Sequence, residues 1–282
     1  MKRGDVIEMG PHRLMCGDAG DPADVARLFG DRKPDLVFTS PPYAQQRQYA
    51  HALGNWDATM RAVFGAMPHH AHTQILVNLG LVHCKGEWWP YWDDWIEWMR
   101  AQGWRRFGWY VWDKKDGIPG VFNGRPAPCF EFIFHFNHIA PKINKTTPCK
   151  NANKSRGVSR ACRRTGHGGP RSWHGDTAIT QPYKIPDSVF RVASRGARGV
   201  DHPAVFPVQL AQEIIRAYTA MGGIVFDPFM GSGSSILAAE QEGRICYGME
   251  IAPEYCDMAL DRWAKRPRQT LRLPMREAGG GA

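Results

Sequence analysis

The sequence predicts an α/β fold, a sheet covered by helices within one large domain that carries an inserted segment. Three observations carry this expectation. Short apolar runs rich in Val, Ile and Phe alternate with amphipathic patterns, as in a sheet packed against helices. The 282 residues exceed the usual single-domain size yet fit one large α/β domain with an insertion. Residues 137–200 break the alternation with a stretch rich in Gly, Pro, Ser and Asn.

Six runs read as strands: 35–39 (Asp-Leu-Val-Phe-Thr), 74–78 (Gln-Ile-Leu-Val-Asn), 106–112 (Arg-Phe-Gly-Trp-Tyr-Val-Trp), 130–136 (Phe-Glu-Phe-Ile-Phe-His-Phe), 223–227 (Gly-Ile-Val-Phe-Asp) and 245–250 (Ile-Cys-Tyr-Gly-Met-Glu). Between the second and third, Trp88, Trp92, Trp95 and Met99 recur at spacings of four, three and four. That period predicts an amphipathic helix over 87–101 whose tryptophans form a packed core face rather than a base-stacking surface. Residues 137–200 read as loop or partly disordered chain. From Pro207 the residues Val208, Leu210, Ala211, Ile214, Ile215 and Tyr218 mark a helix leading into the strand at Gly223. Further helices are expected over 234–242 and 253–264, and the Arg-, Pro- and Gly-rich 267–282 read as a frayed, flexible tail. No internal repeat is present.

The formal net charge of +9 is unevenly placed. Residues 137–200 hold 13 Lys or Arg against two acids, Asp176 and Asp187, giving +11; the remaining 23 basic and 25 acidic side chains give −2. The whole basic excess lies in one segment, which points to a polyanionic partner. The longest apolar runs, such as 75–79, fall far short of the roughly 20 residues that span a bilayer, so no membrane association is expected. The N-terminal Met-Lys-Arg-Gly-Asp-Val-Ile-Glu lacks the apolar stretch of a signal peptide, and the chain is expected to be cytoplasmic. Seven cysteines, at 16, 84, 129, 149, 162, 246 and 256, fit reduced thiols better than a disulfide framework.

Two motifs carry chemistry. Val225-Phe-Asp-Pro-Phe-Met-Gly-Ser-Gly-Ser-Ser is a strand ending in Asp227 that passes through a Gly-rich turn into a helix. Gly231 and Gly233 allow close backbone approach, and the helix start offers free N–H groups. The motif lacks the Lys of a phosphate-binding loop, and the acid at the strand end suits an ammonium group better than a pyrophosphate. Glu250 closes the next strand, 19 residues after Gly231, about where an acid takes ribose hydroxyls in doubly wound nucleotide folds. An adenosine carrying an amino acid fits both acids. The second motif, Thr39-Ser40-Pro41-Pro42-Tyr43, also ends a hydrophobic strand. Its two prolines stiffen the backbone and remove two donors, so nearby carbonyls are presented as acceptors beside an aromatic ring, an arrangement suited to an amino group on a planar base.

Together, Ser-Pro-Pro-Tyr near the N-terminus and Asp-Pro-Phe-Met-Gly-Ser-Gly near the C-terminus resemble the amino-directed DNA methyltransferases in the beta order, where the catalytic motif precedes the cofactor motif. Leu14-Met-Cys-Gly-Asp18 and Asp201-His-Pro-Ala-Val-Phe-Pro207 resemble two further segments of that family, in the right order. The resemblance implies a Rossmann-like S-adenosylmethionine-dependent methyltransferase fold with a mixed, mostly parallel sheet. It implies a catalytic half over 1–136, a basic target-recognition region over 137–200 and a cofactor half over 201–266.

By this resemblance the target base, adenine N6 or cytosine N4, is flipped out of double-stranded DNA. Tyr43 stacks on it, the Ser40 side chain and Pro41 carbonyl accept hydrogen bonds from its amino group, and Pro42 stiffens the turn. The cofactor S-adenosylmethionine is assigned Asp227, Phe229, Gly231, Ser232 and Gly233 around its methionine part and Glu250 at the ribose. Asp18 faces the adenine side, unless it serves as a helix N-cap ahead of Pro22, and His202, Pro203 and Phe206 close the site. Lys154, Arg156, Arg160, Arg163, Arg164 and Arg171 are the candidate DNA contacts. A homodimer is implied, and a place in a restriction-modification system is left open. Cys129 and Cys149 follow prolines, as a C5-cytosine nucleophile would, but read as ordinary thiols.

Two other classes remain in view. Cys149, Cys162, His167 and His174, flanked by Cys129, His135 and His138, would suit a zinc-stabilised DNA-binding module, but no Cys-x2-4-Cys pair occurs and no metal is expected. An RNA amino-methyltransferase would share the Pro-Pro-Tyr chemistry.

Overall fold

The computed structural model describes residues 1–42, 56–117, 120–122, 124–154, 163–164, 170–171, 180–194 and 206–266. In chain order its elements are β1 (Val6–Met9), β2 (His12–Cys16), α1 (Pro22–Phe29), β3 (Leu36–Thr39), α2 (Trp56–Ala66), β4 (Gln74–Leu79), β5 (Val82–Cys84), β6 (Glu87–Trp89), α3 (Asp93–Ala101), β7 (Arg105–Asp113) and β8 (Phe130–Asn137). There follow β9 (Thr147–Pro148), β10 (Arg163–Arg164), β11 (Pro170–Arg171), β12 (Tyr183–Lys184), β13 (Val189–Arg191), α4 (Val208–Tyr218), β14 (Ile224–Asp227), α5 (Ser234–Gln241), β15 (Ile245–Glu250) and α6 (Pro253–Ala264). Among the described residues no helix is long and apolar enough to cross a membrane.

The main sheet runs β1-β2-β15-β14-β3-β4-β8-β7-β13. Its centre is parallel from β2 through β15, β14 and β3 to β4, while β8 is antiparallel to both β4 and β7. Strands such as β14 and β4 are buried at every residue, which is why consecutive apolar residues, 224–226 and 75–77, stand in them rather than an alternating pattern. Alternate side chains feed two cores. Met15, Val37, Ile75 and Phe226 pack with α1, α2 and α3 through Leu28, Val63 and Trp95, whereas Leu14, Leu36, Leu76 and Val225 pack with α4, α5 and α6 through Ile214, Ile236 and Ala259. The result is a three-layer sandwich of helices, sheet and helices.

All six expected strands are present. The expected helix over 87–101 is only partly so: α3 starts at Asp93, and Trp88 and Trp89 lie instead on β6, paired with His83 and Val82. Two local features break the helix. Lys85 and Gly86 both take positive φ, 51° and 87°, the two-residue turn that matches the twist of a hairpin, and Pro90 has no N–H to give to a helix interior. Trp92, Trp95 and Met99 are core residues as expected, but Trp88 is 61% exposed.

The segment 137–200 also departs from plain loop. Val189–Arg191 form β13, parallel to β7 at the sheet edge, and Asn137 ends β8. Short pairings join β9 to β12 and β10 to β11. Asn144 ties the start of the segment to α4, donating from its backbone to Ala217 O at 2.9 Å and from Nδ2 to Arg216 O and Thr219 O at 2.9 Å each. The hairpin β1–β2 and the helix α2 lie in stretches where no element is expected from the sequence; the Gly10-Pro11 turn and the Trp56, Met60, Val63, Phe64 stripe are the signals that mark them.

Candidate active site

Four adjacent parallel strands, β2, β15, β14 and β3, end at one edge of the sheet, and a cavity of about 460 Å³ opens there. Its wall takes Gly17, Asp18 and Gly20 after β2, Ser40 and Pro42 after β3, Pro228 to Ser232 after β14, and Glu250 at the end of β15. Thr59, Ala62 and Val63 of α2 and the ring of Phe206 complete it. Ligands bind outside the carboxyl ends of open parallel sheets because loops there diverge to the two faces and helix N-termini converge. β14 is such a switch point, since the chain continues to β15 on one side while β3 lies on the other.

The Gly-rich turn is held from several sides. Gly231 and Gly233 adopt φ of 52° and 85°, a region costly for residues with a Cβ, and a Cβ on Gly233 would sit 2.9 Å from that of Ala259 on α6. Arg262 of α6 donates to the Ser232 carbonyl and hydroxyl at 2.6 and 2.7 Å. Glu250 accepts from Gly231 N at 2.8 Å and Ala252 N at 2.9 Å, and burial raises its pKa. Ser234 Oγ, at the start of α5, lines the cavity and is buried with no hydrogen-bond partner among the described residues, a polar atom that a bound ligand would satisfy.

Asp227 lies behind this wall, not in it. Its side chain is fully buried and accepts from Thr39 Oγ1 at 2.7 Å, from Phe229 N at 3.1 Å and from Ser235 Oγ. Desolvation pushes its pKa up to about 6, with those bonds opposing the rise. Through Thr39, the carboxyl clamps the end of β3 to the Gly-rich turn.

In the second motif, Trp56 Nε1 donates to the Pro42 carbonyl at 2.8 Å, fixing the proline turn against α2. Asn78 Nδ2, on β4, lies 3.3 Å from Ser40 Oγ.

Of the residues singled out from the sequence, the cavity brings together Asp18, Ser40, Pro42, Phe206, Phe229, Gly231, Ser232 and Glu250. Asp18 is not a helix cap: that position belongs to Asp21, whose side chain accepts from Ala23 N at 2.9 Å. Asp18 Oδ1 instead accepts from Gly20 N at 2.8 Å on the cavity wall. Pro41, Asp227 and Gly233 stand outside the lining, the last two holding the turn from behind. Tyr43, His202, Pro203, Arg156 and Arg160 lie outside the described residues. Arg163, Arg164 and Arg171 fall on β10 and β11, and Lys154 lines a separate cavity with Lys150, Lys184 and Asp187. Among the described residues no cluster of His, Cys, Asp or Glu suits a metal. Ser234, Arg262 and the α2 face were not anticipated; Ser234 alone had a signal, its place in the Gly-Ser-Gly-Ser-Ser run.

Residues 34–261 match the family model described as DNA methylase, the N6/N4 methyltransferases. The chain is 28% identical over 247 residues to the orphan methyltransferase M.BamHII of Bacillus amyloliquefaciens, covering 83% of this chain and 90% of that protein. It is also 28% identical over 183 residues to the type II methyltransferase M.Cfr9I of Citrobacter freundii, covering 63% of this chain and 52% of the relative. Among solved structures it is similar to the PvuII DNA methyltransferase (cytosine-N4-specific), with a TM-score of 0.63 at 19% identity over 91% of this chain and 87% of that one. It is likewise similar to the M1.HpyAVI–SAM complex, with a TM-score of 0.55 at 17% identity over 88% of this chain and 98% of the other. At these identities the structural likeness speaks for the fold: an α/β methyltransferase sheet, mixed and mostly parallel.

Proposed function

Since the chain belongs to the DNA methylase family, we propose that it transfers a methyl group from S-adenosylmethionine to an exocyclic amino group, adenine N6 or cytosine N4, of a base flipped out of double-stranded DNA. The observation that carries this reading is that a single cavity joins Ser40 and Pro42 of the proline turn to the Gly-rich turn and Glu250. A methyl donor and its acceptor need to meet in line, and a shared cavity brings them to that distance without diffusion.

The residues fit the cofactor. About 460 Å³ is within the usual range of small-ligand sites. Glu250, at the end of β15, takes the ribose hydroxyls. Asp18 is the other carboxylate in the wall and, with Asp227 turned inward, becomes the partner of the amino acid's ammonium group. Ser232, Ser234 and the backbone of Gly231 receive the remaining polar groups, while Phe206, Phe229, Ala62 and Val63 supply apolar contact. When bound, S-adenosylmethionine supplies the sulfonium methyl.

On the base side, the Pro42 carbonyl is already taken by Trp56, so the Pro41 carbonyl and Ser40 Oγ are the acceptors for the two amino hydrogens. Accepting both orients the nitrogen lone pair toward the methyl group, and no covalent enzyme intermediate is needed. Tyr43 stacks on the flipped ring, and His202 and Pro203 close the cofactor side. The part of 137–200 that precedes β13 is the target-recognition region, with Lys154, Arg156, Arg160, Arg163, Arg164 and Arg171 on the DNA. The protein works in the cytoplasm as a homodimer, each recognition region extending the grip of the other subunit, and serves as the modification half of a restriction-modification system or as an orphan enzyme.

Incubating the protein with methyl-labelled S-adenosylmethionine and duplex DNA, then analysing the nucleosides by mass spectrometry, tests the reading and names the base. N6-methyladenine or N4-methylcytosine is expected. Label at cytosine C5, label in RNA but not in DNA, or no transfer at all would overturn it.

A further inference from the structure

Beside the proline turn lies a buried polar chain that none of the sequence motifs includes. Asn78 on β4 is fully buried and Glu131 at the start of β8 is 8% exposed. Asn78 Nδ2 donates to Glu131 Oε2 and reaches Ser40 Oγ at 3.3 Å, while Lys114 Nζ donates to Glu131 Oε1. Lys114 is held in turn over the ring of Trp112 at 4.9 Å, and Trp112 is anchored by its Nε1 to Val192 O at 2.7 Å.

The polarity of the chain is dictated chemically. An ionised carboxylate only accepts, so the Asn78 amide must turn its nitrogen to Glu131, and the second amide hydrogen is then aimed at Ser40. One lone pair of Ser40 Oγ is thereby occupied and the other is left for a donor in the cavity. None of the three partners lines the cavity, and among the described residues the chain meets it at Ser40. Stability does not account for them, because a buried ion pair is commonly no better than apolar side chains of similar volume.

We propose that Asn78, Glu131 and Lys114 are positioning residues that fix the rotamer and the accepting lone pair of Ser40 toward the target amino group. The inference rests on the proposed role of Ser40. No local pattern along the chain hints at it, since the links Ser40–Asn78, Asn78–Glu131 and Lys114–Glu131 span 38, 53 and 17 residues.

The test is a set of variants of the full chain, Asn78→Ala and Glu131→Gln, each made with Ser40 present and with Ser40→Ala, followed by kcat, KM for DNA, cofactor affinity and Tm. With Ser40 present each should lower kcat by about 10- to 100-fold, as loss of positioning does, and leave cofactor affinity unchanged. In the Ser40→Ala background the same changes should lower kcat no further. Equal losses in both backgrounds would mark a merely structural role and overturn the proposal, as would unchanged kcat with Ser40 present. Wild-type kcat in Ser40→Ala alone would instead remove the catalytic reading of Ser40. Should Glu131→Gln fail to fold, Lys114→Met, at the more exposed end of the chain, carries the test: it should lower kcat, and Lys114→Arg should recover most of the loss. A Lys114→Met enzyme with full turnover would overturn the proposal.

Discussion

Replacing Asp227 by Asn changes one charge at constant shape, at a carboxyl that is fully buried and accepts three hydrogen bonds. Its pKa stands at about 6 in the fold against an ordinary 3.8, chiefly because burial disfavours the ion. A carboxyl whose pKa is raised by folding contributes most below 3.8 and loses that contribution as pH climbs through 6. The gap corresponds to about 3 kcal/mol in all, of which roughly half develops between about pH 5 and pH 8. In Asp227→Asn the new side chain would keep its Oδ1 for Thr39 and Phe229 and turn its Nδ2 to the Ser235 hydroxyl, which can accept, so the site stays satisfied without an ionisation. Urea denaturation of both proteins across this range should therefore show Asp227→Asn gaining about 1.5 kcal/mol on the wild type from pH 5 to pH 8. Calorimetry should show S-adenosylmethionine affinity largely retained in Asp227→Asn and lost in Asp227→Ala, which strands Thr39, Ser235 and the Phe229 amide without their acceptor. Parallel stability curves would refute the buried, ionising carboxyl. A collapse of cofactor affinity in Asp227→Asn would refute its placement behind the wall and return it to contact with the ligand.

Two further outcomes are expected. Asp18→Ala should weaken S-adenosylmethionine binding by about 1.5–3 kcal/mol, the worth of a hydrogen bond to a charged group, read by calorimetry; unchanged affinity would take the ammonium elsewhere. Neutralising Arg156, Arg160, Arg163 and Arg164 together should weaken DNA binding and reduce the slope of log affinity against log salt by about 0.9 for each phosphate that is no longer neutralised, measured on cognate and scrambled duplexes; an unchanged slope and affinity would place the DNA on another surface.

Much of this molecule is legible along the chain. The sheet strands announce themselves because central parallel strands are buried on both faces and are apolar for most of their length, as 75–77 and 224–226 are. The Gly-rich turn and the Ser-Pro-Pro turn are equally plain, because positive φ and missing N–H groups demand particular residues at particular places. The Trp88 stripe misleads for a local reason, since a spacing count ignores the chain reversal at Lys85-Gly86 and the proline at 90.

Sequence alone therefore determined the six strands to within one residue at their ends and the two turns that carry the motifs, since those features are decided by steric and burial demands within a few neighbouring residues. Only the tertiary structure decided which way each strand-end side chain faces and whom it meets. Asp227 and Glu250 look alike as acids at the ends of β14 and β15, yet one turns inward to Thr39, 188 residues away, and the other stays on the cavity wall against Gly231. The difference is set by the register of β14 against β3 and β15, which places a hydroxyl behind one carboxyl and a cavity before the other. Ser40 gains Asn78 in the same way, because β3 and β4 run parallel with Thr39 opposite Val77, an alignment that no stretch of either strand specifies by itself.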